Sequence, residues 1–202
     1  MSVLNTMAMV TVILINVLVS LSGFRAFQGQ GGNPLHYLFI PAQVRHGDNL
    51  VGLFVSNFSH ANFSHLMFNM LTFYFFAEPI LYVENVAGFL FVILFSAMGS
   101  DLLIYLMRKN DPDYRCLGAS GYVSGVVFAA IVFFPTISIW FIPGPLYALL
   151  FVGISIYMMR TGGGGISHEG HIGGAIAGFV AAILLYDDGL PPIFVWLLRL
   201  IG

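Results

Sequence analysis

From Met7 to Phe24 the sequence holds no ionisable side chain. A run of this kind constrains a chain more than anything else in it. About 20 mostly apolar residues carry a helix across a bilayer, and in lipid only a helix or a closed barrel satisfies its own backbone. Further apolar runs follow at about His65 to Val83, Ala87 to Met107, Leu117 to Pro135, Pro145 to Met159 and Ser167 to Tyr186. Only 8% of residues are charged and 58% are hydrophobic, against about 25% charged in a typical soluble domain. The expected fold is therefore an all-α polytopic membrane protein. Six transmembrane helices form one domain over residues 1–202, with Leu190 to Gly202 an apolar tail too short to span. The N-terminus lacks the basic region and cleavage site of a signal peptide, so the first run reads as a retained span. The Lys and Arg residues form no cluster, which argues against a nucleic-acid partner. The lone Cys116 allows no intrachain disulfide.

The connections carry their own signals. Gln28 to Pro34 is rich in glycine and opens a long loop. Within it, Leu35 to Pro41 has enough apolar surface to lie in the membrane interface and too little to cross. Long, partly apolar loops of this kind are often functional. Asn57-Phe58-Ser59-His60 is echoed by Asn62-Phe63-Ser64-His65, and Ser64 is the expected N-cap of the second span. Thr136 to Gly144 holds Trp140 and Phe141 and runs into a Pro-Gly-Pro turn, as an interfacial connection does. Thr161 to Gly165 reads as a flexible loop.

Polar groups inside spans are costly and mark function by default. Ser120 sits between Gly118 and Gly121 where the fourth span opens. A serine in a span ordinarily bonds its own helix or a neighbour. Here Gly121 and Gly125 add a face that lets another helix approach closely, and the amides of a helix's first turn are unpaired. On the sixth span His171 shares such a face with Gly170, Gly174 and Gly178. If the two glycine faces meet, hydroxyl and imidazole come within hydrogen-bond reach, the arrangement of an activated nucleophile. Asp101 and Glu169 are available carboxylates, but nothing aims either at the imidazole, so a Ser120/His171 dyad is expected rather than a triad. His65 and Asn69 lie four apart on one helix face. Both carry donors that could serve an oxyanion. Their bland alternative, shared with His60, is polar glue between helices.

These residues in this order resemble the rhomboid intramembrane serine proteases: Gly118-Ala119-Ser120-Gly121 on the fourth span, His171 with Gly174 and Gly178 on the sixth, and His60, His65 and Asn69 entering the second. The resemblance covers roughly Ser56 to Tyr186. It implies Ser120 as nucleophile and His171 as general base. His65, Asn69 and the Ser120 amide would form the oxyanion hole. His60 would be structural, near substrate entry, and the first loop would be half embedded in the membrane. The glycine-rich loop at 161–165 would be a cap over the site. The implied partners are transmembrane protein substrates and the lipid bilayer, with no cofactor or metal, and the implied location is a bacterial inner membrane. The chain departs from many bacterial members in three places. Val51 and Gly52 stand where they carry a Trp-Arg pair, Ser124 where an aromatic stacks on the histidine, and Leu81 where an acid is common, with Glu78 and Glu84 on either side.

Orientation pits two rules against each other. Arg25, Arg45, Arg108, Lys109, Arg115 and Arg160 lie on the odd loops or their flanks, which the charge rule places in the cytoplasm. The resemblance implies the reverse, and the family orientation is adopted here. Three other functions compete. His168, Glu169 and His171 suggest a metalloprotease, but the histidines are three apart rather than the four of the zincin helix. A membrane chaperone or trafficking factor would bind transmembrane helices without cutting them. A transporter would show internal repeats, and none is visible.

Overall fold

Fourteen residues, Ser120–Phe133, form the axis of the molecule. In the computed structural model, which describes residues 2–139, 141–161 and 165–201, this helix is α6 in the order α1 (Val3–Phe27), α2 (Pro41–Arg45), α3 (Leu50–Val55), α4 (Phe63–Val83), α5 (Val86–Arg108), α6, α7 (Gly144–Thr161), α8 (His168–Leu185) and α9 (Pro192–Ile201). Every residue of α6 from Gly121 to Phe133 is buried. A helix apolar on all sides belongs in the middle of a bundle, and α4, α5 and α8 pack around this one. Two strands of two residues each, β1 (Ser138–Ile139) and β2 (Ile142–Pro143), pair antiparallel between α6 and α7. Trp140 lies outside the described residues, while the neighbouring Phe141 is 96% exposed, as suits an interfacial turn.

The chain is thus an all-α polytopic membrane bundle. Helices α1, α4, α5, α7 and α8 are long and apolar enough to cross a bilayer. The expected fourth span, Leu117 to Pro135, is corrected to the shorter α6. At 1.5 Å per residue its 14 residues reach about 21 Å, less than the roughly 30 Å of hydrocarbon. The missing turn at the start is used otherwise: Cys116 pairs with Phe39 as an isolated antiparallel bridge, and Gly118 takes a left-handed φ of 132°. The N-cap of α4 is also corrected. Asn62, not Ser64, accepts from the His65 amide at 2.9 Å, so the helix begins two residues before His65. At α8 the Ser167 hydroxyl caps the amide of Gly170 at 3.2 Å.

The first loop is built of short helical pieces: α2, α3 and the 3-10 turns Pro34–Tyr37 and Ser56–Phe58. Its backbone is stitched inward. Asn49 donates to the carbonyls of Leu35 and Leu38, and Ser59 to that of Tyr37. Its outer surface shows Leu35, Val51 and Phe54, an apolar exterior suited to lipid rather than water. The tail expected to be too short to span forms α9, which anchors through Ile193.

Candidate active site

The segment before Ser120 is held by three backbone hydrogen bonds. Phe39 and Cys116 exchange backbone hydrogen bonds of 2.8 and 3.1 Å, and the Gly118 amide donates to the Ser56 carbonyl at 2.9 Å. Gly118 is required twice over. Its φ disfavours any side chain, and a Cβ there would stand 2.6 Å from Cε1 of His65. Helix α6 then begins at Ser120, and among the described residues no side chain caps its first turn. Those amides remain free to meet an anion.

The glycine faces do meet. A Cβ on Gly174 would overlap the carbonyl oxygen of Gly121, and one on Gly178 that of Gly125. The same stripe serves a second neighbour, which spacing alone did not predict: a Cβ on Gly121 or Gly125 would also overlap Ser100 or Ser96 of α5. Helix α6 is therefore gripped between α5 and α8 at backbone distance. The result is that His171 Nε2 and Ser120 Oγ lie 2.8 Å apart.

The ring of His171 faces Phe151 of α7, with centroids 6.0 Å apart and planes inclined by 32°. Phe151 in turn packs edge-on against Phe128. An aromatic neighbour is thus supplied from α7, and sequence reasoning missed it. Ser124, at the position first considered, instead donates to the Ser120 carbonyl at 2.7 Å within its own helix. Among the described residues no carboxylate bonds the imidazole. Glu169 is bound by Arg108 at 2.6 Å. Asp101 accepts from the Asn57 amide at 2.8 Å, which gives this unexplained span acid a partner.

His65 and Asn69 line one cavity of about 460 Å³ together with Ser120 and His171. Asn69 is 7% exposed, and its amide nitrogen has no hydrogen-bond partner among the described residues. A buried donor without a partner is costly, and Asn69 stands in the wall of the cavity that Ser120 borders. Gly165 borders the same space with a φ of 74°. Gly162 to Gly164, the centre of the expected cap, lie outside the described residues.

His60 is fully buried behind this wall, its ring edge-on to that of His65 at 5.0 Å. Its Nδ1 lies 2.8 Å from Ser20 Oγ on α1, and Nε2 faces the amide of Ala119 at 3.5 Å. This network assigns the neutral tautomer with the proton on Nδ1, donating to Ser20, whose hydroxyl donates to the Phe58 carbonyl. Burial first, and His65 second, lower the His60 pKa to about 3. The unfolded chain takes up this proton below about 6.5 while the folded chain does not, so stability falls as pH drops from 6.5 toward 3. Melting temperatures of the purified protein across that range should decline with acid, and His60→Gln should flatten the decline.

Compared with known proteins, residues 47–188 match the rhomboid domain family. A rhomboid protein of Acanthamoeba polyphaga mimivirus is 33% identical over 138 residues, covering 67% of this chain and 75% of the relative. The chain belongs to the rhomboid family, an integral membrane family built mostly of intramembrane serine proteases. The viral source of that relative lends no support to the bacterial inner membrane expected above.

Proposed function

We propose that this chain is an intramembrane serine endopeptidase that hydrolyses peptide bonds in or near transmembrane segments of other membrane proteins. One observation carries the reading: a serine hydroxyl 2.8 Å from an imidazole nitrogen, beside a cavity that His65 and Asn69 also line. His171 Nε2 accepts the Ser120 proton as Oγ attacks the substrate carbonyl. The oxyanion that forms is met by the Ser120 amide, the Asn69 amide and the His65 ring. As the C–N bond breaks, the imidazolium returns its proton to the leaving amine. Water, deprotonated by His171, then attacks the acyl-Ser120 ester and frees the new carboxylate and the hydroxyl.

The substrate must present an extended backbone, because a helical one has already committed its carbonyls. A transmembrane helix with a helix-weakening stretch near one end meets this need. The short reach of α6 supports placing the hydroxyl below the membrane surface, within range of such a stretch. Against the metal reading, Glu169 is engaged by Arg108, and among the described residues no three His, Cys, Asp or Glu side chains converge to hold an ion.

The test is covalent labelling with a fluorophosphonate, followed by peptide mapping. Modification at Ser120 is expected, unaffected by chelator. Labelling elsewhere, or none in a protein that remains folded, would overturn the mechanism. An intact cellular role for the Ser120→Ala protein would then favour a non-catalytic factor that binds transmembrane helices.

A further inference from the structure

A glycine face brings helices together but offers no side chains to interlock, so something else must set how far α8 turns and slides against α6. The turn of α8 that carries His171 is tied down at its mouth. Glu169, two residues before His171, is only 2% exposed, and its carboxylate accepts from Arg108 Nε at 2.6 Å. Arg108 is the last residue of α5. Its guanidinium also sits 4.9 Å over the ring of Tyr114, in the loop that leads to Ser120. The Tyr114 hydroxyl donates to Ser167 Oγ at 2.8 Å, and Ser167 is the cap of α8. The contacts close a ring: α5 to α8 through Arg108 and Glu169, α8 to the serine's approach loop through Ser167 and Tyr114, and back to α5 through Arg108.

We infer that Arg108, Tyr114, Ser167 and Glu169 form a positioning clamp that holds the turn bearing His171 in register with Ser120, in place of a carboxylate on the imidazole itself. This rests on the serine endopeptidase reading above. Burying a carboxylate with one cation brings little net stability compared with apolar packing, so the pair is better explained by the geometry it imposes. The acid also lies at the positive end of α8, where its charge is favoured. None of the four residues touches the reacting atoms. They act through the helix start and the loop they join.

The experiment measures fluorophosphonate inactivation of the purified protein, separating the maximal rate kinact from the half-saturating concentration KI, alongside melting temperature. Glu169→Gln and Arg108→Gln should each lower kinact by about ten- to a hundredfold, the loss expected of misplacement by a fraction of an ångström to 1 Å, while KI holds. The double variant should lose no more than Arg108→Gln alone, because that variant already removes the contact to Glu169. Tyr114→Phe deletes a single hydroxyl, and it decides the matter if a charge variant fails to fold. It should lower kinact by about threefold or more, with its melting temperature close to wild type. Wild type labelled at Ser120, with kinact within about twofold of wild type in the folded variants, would overturn the clamp alone. The same holds for losses that appear in KI instead. A wild type that does not label at Ser120 would overturn the endopeptidase reading, and the clamp with it.

Discussion

Ser120→Ala should lose all fluorophosphonate labelling and lower peptide-bond cleavage by about 10⁴-fold or more. The variant removes one oxygen and leaves the glycine-to-glycine packing of Gly121 on Gly174 untouched, so its melting temperature should stay near wild type. That separation makes the test clean, because activity goes while the fold remains. His171→Ala should fall about as far, and the double variant no further, since a nucleophile and its base act as a unit. Initial cleavage rates of a single-span substrate in proteoliposomes, with unfolding followed in parallel, measure both. A Ser120→Ala protein that cleaves within about tenfold of wild type would leave the hydrogen bond to His171 without a catalytic meaning.

Gly174→Ala should damage activity by a different route. The added methyl would overlap the carbonyl oxygen of Gly121, a backbone atom that cannot swing away as a side chain can. Helices α6 and α8 must part, and the 2.8 Å contact between Ser120 and His171 opens with them. Overpacking of this kind costs about 1–3 kcal/mol, and a shift near 1 Å costs about a hundredfold in rate. Gly153→Ala is the control. Among the described residues nothing lies within 4 Å of a Cβ at that position on α7, and alanine in a helix interior adds about 0.5–1 kcal/mol over glycine. Lower stability and slow labelling for Gly174→Ala, beside wild-type labelling and equal or slightly higher stability for Gly153→Ala, would tie the Ser120–His171 contact to the packing. Equal behaviour of the two would break that link.

Much of the architecture is readable without coordinates, and the reasons are local. Apolar runs long enough to cross lipid have few alternatives, and residues repeating every four places mark a helix face. Those two facts put Ser120 and His171 on helix faces able to meet. What escapes is set by contacts distant along the chain. The fourth helix starts at Ser120 rather than Leu117 because Cys116 finds Phe39 across the first loop, and no periodicity announces such a bridge. Asn62 and Ser64 are both good caps, and only the entering backbone selects between them. Phe151 reaches His171 from α7, the least buried of the long helices, where a phenylalanine among lipid-facing residues has nothing to distinguish it. Glu169 and Asp101 were visible as anomalies. Their partners, Arg108 and Asn57, lie 61 and 44 residues away and could be found only in space.

The bridge between Phe39 and Cys116 has a mechanical side. The loop to which Phe39 belongs presents Leu35, Val51 and Phe54 outward, while its inner edge is bonded to the segment that leads to Ser120. A bilayer that thickens, thins or crowds its headgroups would push on the apolar outer edge, and the force would reach Ser120 through two backbone hydrogen bonds and the three residues between Cys116 and Ser120. If the chain is the endopeptidase proposed, turnover of one and the same substrate should vary with acyl-chain length in vesicles, and the lipid would count as a component of the machinery rather than its solvent.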